Sequence, residues 1–116
     1  MKKFTLPKKS LIKKNDEFNE IFNKGKIFSS EYFIAYTIKS DKVKVGFTTL
    51  KGNKNKPQRN RLKRITRELW RKNYRNYTLC SKIIIITKSN LLSINFKTLE
   101  EDFNRLLFKI EKEVRL

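Results

Sequence analysis

Six arginines and two lysines share the 17 positions from Arg59 to Arg75, and Glu68 is the one acid among them. Such cations carry out no bond chemistry by themselves. They neutralise polyanions, and the planar fork of arginine grips phosphate oxygens two at a time. Wound as a helix at about 100° per residue, the segment puts Leu62, Ile65 and Leu69 on one apolar seam. Asn60, Arg64, Arg67, Arg71 and Arg75 then fall about 140–220° away from Leu62, on the opposite side. This ladder climbs about 5–6 Å per turn, close to phosphate spacing along a nucleic acid strand. A lone glutamate cannot pair eight bases, and like charges at i, i+4 repel. A helix that tolerates them is expected to meet a polyanion.

Other chemistries lack their residues. With no His, there is no imidazole base and no His-ligated metal. Cys80, the single cysteine, can form neither an internal disulfide nor a thiolate cluster, and it reads as a small buried thiol. A metal-dependent nuclease would have to recruit Asp16, Glu17, Glu20 and Asp41, but helix capping accounts better for the first two. The expectation is no catalytic residue and no metal ligand.

The chain of 116 residues carries 29 Lys and Arg against 11 Asp and Glu, for a net charge of +18. Charge of that size is a disorder signature, but 38% hydrophobic residues with nine Phe argue for a folded core. The longest apolar run, Ile83 to Ile86, is far short of a membrane span, and no apolar stretch follows the N-terminal lysines. A soluble cytoplasmic protein with no membrane partner and no small-molecule substrate is expected.

Elements must position the basic ladder. Residues 2–14 read as an extended basic lead-in. Asn15 as cap, Phe18, Ile21 and Phe22 as an apolar stripe, and Gly25 as terminator describe a short helix. The segments 31–39 and 43–49 read as strands joined by a turn at Ser40 to Lys42, predicting a hairpin. Residues 50–58 read as a loop and 59–75 as the basic helix. Ile83–Ile86 has the composition of a strand buried on both faces. After an irregular stretch over 89–97, a capping box at Thr98 and Glu101 opens a C-terminal helix over 98–114. The pattern is one α+β domain over residues 1–116, a small sheet with helices packed on it. Phe18 and Phe22 on one helix face, with Ile34, Tyr36 and Ile38 on one sheet face, are core residues or, where exposed, a platform for unpaired bases. Base stacking beside a basic helix favours RNA.

These motifs resemble the protein subunit of bacterial ribonuclease P. The similarity rests on R-N-R-x-K-R-x-x-R-E from Arg59 to Glu68 and on Glu17-Phe18, Ile21-Phe22 and Gly25 upstream. Phe33 with Tyr36, and Val45 to Thr48, complete it. The resemblance implies an α-β-β-β-α-β-α order with a left-handed βαβ crossover, against the usual handedness. It implies that Arg59, Asn60, Arg61, Lys63, Arg64 and Arg67 face a catalytic RNA, with Arg71 continuing the same ladder. It implies that Phe18, Phe22, Ile34, Tyr36 and Thr48 form a cleft for the 5′ leader of precursor tRNA. Hydrolysis would belong to the RNA subunit and its Mg²⁺ ions. In the 50–58 loop, Gly52 and Lys56 depart from the family pattern, and so does Lys88 to Leu91. The competing readings are a ribosomal protein and a DNA-binding module that inserts the 59–75 helix into the major groove.

Overall fold

A computed structural model of the chain describes residues 15–49, 56–88 and 93–115. The expected lead-in over 2–14, the loop residues 50–55 and the turn residues 89–91 lie outside them, as does the capping side chain of Asn15. Three helices and four strands follow in the order α1 (Asn15–Lys24), β1 (Lys26–Ser29), β2 (Phe33–Lys39), β3 (Lys44–Thr49), α2 (Lys56–Asn73), β4 (Ser81–Thr87) and α3 (Phe96–Arg115). A 3₁₀ turn, Tyr74–Asn76, closes α2. The sheet order is β1-β2-β4-β3.

The expected hairpin between the second and third strands does not form. β4 lies between them, antiparallel to β2 and parallel to β3. The reason is the isoleucine run: Ile83 to Ile86 are all buried, and a strand apolar on both faces must sit inside the sheet. β2 finds its hairpin partner in β1 instead, pairing from Lys26 with Thr37 to Ser29 with Ile34. Alternation along β3 correctly gives the faces but does not specify the neighbour.

The sheet separates two apolar layers. On one face, Phe33, Ala35, Val45, Ile83 and Ile85 pack with Leu62, Leu69 and Trp70 of α2 and with Leu99, Phe103, Leu106 and Ile110 of α3. Phe33 and Phe103 meet edge to face at 5.3 Å between ring centroids, the preferred quadrupolar geometry. On the other face α1 lays Ile21 over Ile84 and Ile86. α1 ends where the amide of Gly25 donates to the Ile21 carbonyl at 2.8 Å. Glycine is needed there for space: a Cβ would stand 2.4 Å from the Ile21 carbonyl oxygen and 2.9 Å from that of Thr37.

Helix boundaries shift in physically legible ways. α2 begins at Lys56 rather than 59, taking Pro57 into its first turn, where a missing N–H costs nothing. α3 begins at Phe96 because Asn95 is the cap: its Oδ1 accepts the Thr98 amide at 2.8 Å, so the Thr98 capping box is displaced. Cys80 is exposed rather than buried. It forms the bend into β4 at φ 39°, and its carbonyl accepts the Ser40 amide at 2.9 Å.

Two polar clusters fasten the helices. The buried Asp102 carboxylate accepts the Ser30 hydroxyl at 2.6 Å and the Glu31 and Tyr32 amides at 3.0 Å each. It thereby fixes the β1–β2 turn to α3. Asn73 Nδ2 donates to the Leu69 carbonyl at 2.8 Å and to Glu100 at 3.0 Å, fixing the end of α2 to the same helix.

Candidate nucleic-acid interface

Burial of Leu62, Thr66 and Leu69 turns the opposite side of α2 outward. Asn60, Arg61, Arg64 and Arg67 are exposed, and Arg59 and Lys63 are half-buried. Thr66 helps to set this orientation, since its hydroxyl donates to the Leu62 carbonyl at 2.8 Å and meets Thr87 Oγ1 of β4 at 3.2 Å. Among the described residues, no carboxylate forms an ion pair with Arg59, Arg61, Lys63, Arg64 or Arg67.

The ladder is shorter than its periodicity suggests. Arg71 is ion-paired with Glu68, its Nε donating at 3.1 Å while NH2 reaches the other carboxylate oxygen. That hydrogen bond holds the Glu68 carboxyl below its ordinary range and raises Arg71 above its own. Arg75 leaves the α-helical row altogether, because α2 stops at Asn73 and Arg75 lies in the 3₁₀ turn. There its Nε donates to Tyr74 Oη at 3.1 Å and its guanidinium stacks over the Tyr74 ring.

The second group of residues meets on the sheet face crossed by α1. Strand register aligns Ile34 with Ile86 and Ile86 with Thr48, one row across three strands. Tyr36 aligns with Ile84 in the next row. From α1, Phe22 meets Tyr36 edge to face at 5.0 Å and Phe18 at 6.3 Å. Phe22 is 38% exposed, while Phe18, Ile34, Tyr36 and Thr48 are half-buried. The five residues singled out from the sequence thus share one surface, with Ile21, Ile84 and Ile86 beneath as its floor. Half-buried aromatics over an aliphatic floor suit base stacking and also belong to a core; Phe18 packs against that floor, and Phe22 is the more exposed of the pair.

Two features escaped sequence reasoning. The row beyond Tyr36 ends in Lys44 and Lys82, both held by Glu17 at 3.7 and 3.5 Å, so the aromatic face finishes in paired ammonium groups. Phe47 lies on the opposite face of β3 from Thr48, and the Arg67 guanidinium stands 5.9 Å from its ring centroid. Edge strand β3 therefore carries the aromatic face on one side and the cationic helix on the other. The alternation of Phe47 and Thr48 held that signal, but it required knowing that β3 is an edge. Among the described residues, no group of three Cys, Asp or Glu side chains lies together as a metal site. No described helix is long and apolar enough to cross a membrane.

Comparison with known proteins places this geometry in a family. A family model described as Ribonuclease P matches residues 6–111. The ribonuclease P protein component of Syntrophus aciditrophicus (strain SB) is 32% identical over 111 residues, covering 94% of this chain and 93% of that protein. The solved RNase P protein from Thermotoga maritima superposes with a TM-score of 0.74 at 30% identity, covering 82% of this chain and 92% of that one. The Staphylococcus aureus RNase P protein does so with a TM-score of 0.74 at 26% identity, covering 88% and 97%.

Proposed function

This chain belongs to the ribonuclease P protein family, and on that premise we propose that it is the cytoplasmic protein subunit of a ribonucleoprotein that matures the 5′ ends of tRNA. The observation that carries this reading is the outward row Asn60, Arg61, Arg64 and Arg67, uncompensated by described carboxylates and set beside a half-exposed aromatic face. In this reading α2 lies against the catalytic RNA. Arg59, Asn60, Arg61, Lys63, Arg64 and Arg67 offset phosphate repulsion, and Arg71 joins them at the cost of its Glu68 pair. Phe18, Phe22, Ile34, Tyr36 and Thr48 receive the unpaired leader of precursor tRNA, where stacking is tolerant of sequence.

In this reading the RNA would supply the reacting groups together with its Mg²⁺ ions. The protein contributes positioning and charge: it raises the local affinity for a leader-bearing substrate and lowers the repulsion between two RNAs. The test compares binding of precursor and mature tRNA to the catalytic RNA, with and without this protein, at low Mg²⁺. A gain confined to the precursor is expected. Equal gains for both, or none, would overturn the reading.

A further inference from the structure

A recess lies where the ends of α1 and α3 meet the sheet margin, and none of its lining residues belongs to α2. β1 begins only at Lys26, opposite Thr37, so the last residues of β2, Ile38 and Lys39, extend past the β1 ladder. The recess occupies ≈ 340 Å³, within the range of about 300–1,000 Å³ over which pockets enclose small molecules. Its walls are Phe28, Ile38, Ile110 and Val114. Thr37 in its lining is 8% exposed, and its hydroxyl has no hydrogen-bond partner among the described residues. A buried hydroxyl left unpaired costs free energy, which a polar ligand atom would recover. The other buried hydroxyl in the lining, Ser81, already donates to the Leu79 carbonyl at 2.7 Å.

Charge around the mouth is unequal. Lys26 is ion-paired with Glu113, bridging the start of β1 and the end of α3. Lys24 and Lys39 have no ion pair among the described residues and face only Glu20 as a further lining carboxylate. The site thus combines an aromatic and aliphatic interior, one hydroxyl able both to donate and to accept, and two lysines at the entrance. We propose that this recess binds a nucleoside monophosphate unit, with the base against Phe28 and the Thr37 hydroxyl, and the phosphate on Lys24 and Lys39. A planar base suits the aromatic wall, since every base has a stacking face, and its heteroatoms pair with a hydroxyl of either polarity. The unit comes either from a free nucleotide or from an unpaired residue of a bound RNA.

The test is amide chemical-shift mapping of the full-length protein, titrated separately with AMP, adenosine, inorganic phosphate and a short single-stranded RNA. AMP should shift the amides of Phe28, Ile38, Lys39 and Ile110 saturably, with adenosine about tenfold weaker because the lysines lose their partner. Thr37→Val should weaken the site about fivefold, the worth of one neutral hydrogen bond. Lys39→Glu, at an exposed position that leaves the core intact, should weaken it at least tenfold and decides the matter should Thr37→Val fold poorly. Shifts with AMP identify a free nucleotide as the source. Shifts at these amides with the RNA strand alone, suppressed by either variant, identify an RNA residue. No shift at these amides with either ligand, equal shifts from phosphate alone, or indifference to Lys39→Glu would overturn the proposal. None of these readouts requires the catalytic RNA, so the result stands apart from the ribonuclease P reading.

Discussion

Arg64 and Arg67 differ in what surrounds them, although one period places both on the ladder. Arg64 projects from α2, while Arg67 stands over Phe47 at 5.9 Å, where the ring face attracts its charge. Replacing either by Ala should lower the slope of log affinity against log salt by about 0.7–0.9 for each phosphate no longer neutralised. Filter binding across a salt series measures this, and unchanged slopes in both would show that face to be idle. Glu68 acts in the opposite sense, because its carboxylate occupies Arg71. Its lowered pKa means the pair contributes above the ordinary glutamate range and is lost as pH falls through the depressed value. Glu68→Gln should therefore tighten RNA binding roughly threefold near neutral pH by removing one negative charge from the cationic helix. It should also remove the gain that acidification otherwise brings. Weaker binding by this variant would mean the pair positions Arg71 rather than restraining it. For Phe22, 38% exposed and against Tyr36, Ala should cost about 1–3 kcal/mol of leader-bearing substrate affinity through the missing stacking. An equal loss with leaderless RNA would assign Phe22 to packing alone.

At the scale of elements, α2 and β4 announced themselves in the sequence, because a 3.6-residue apolar period and a continuous Ile run each have one physical reading. β1 did not: its four residues are mostly exposed, so no alternation marks them. The capping box at Thr98 is displaced because Asn95 also fits the residue preferences for a cap, and only the turn geometry separates them. Cys80 was misjudged by composition, since a thiol beside an apolar strand lies inside only if the chain runs straight there. One link between elements leaves no trace in the local sequence pattern. Asp102 lies 70 residues or more from the turn it fixes, which no local pattern records. Asp102→Ala would strand two amides and a hydroxyl, and should destabilise the fold by about 3 kcal/mol. Chemical denaturation reads this directly. A loss below about 1 kcal/mol would show that water replaces the carboxylate.

For the whole molecule, charge and connectivity work together. The sign and concentration of charge point to a polyanionic partner, and the aromatic residues mark the face that the proposed function gives to unpaired bases. The union of the two surfaces around β3 depended on strand order, which the sequence pattern left open. That order has a cost in folding, because β2 and β3 gain their common neighbour only from residues 81–87. A fragment ending at residue 78 keeps only the β1–β2 hairpin, marginal by itself, and is expected to lose most of the sheet signal in circular dichroism; a native-like spectrum would contradict this. The same dependence governs biosynthesis. While a ribosome is still making the chain, the arginine row and the aromatic row have no shared framework. The nascent protein, though already strongly basic, cannot present its paired surfaces to an RNA until the isoleucine strand has left the exit tunnel and slid between its neighbours.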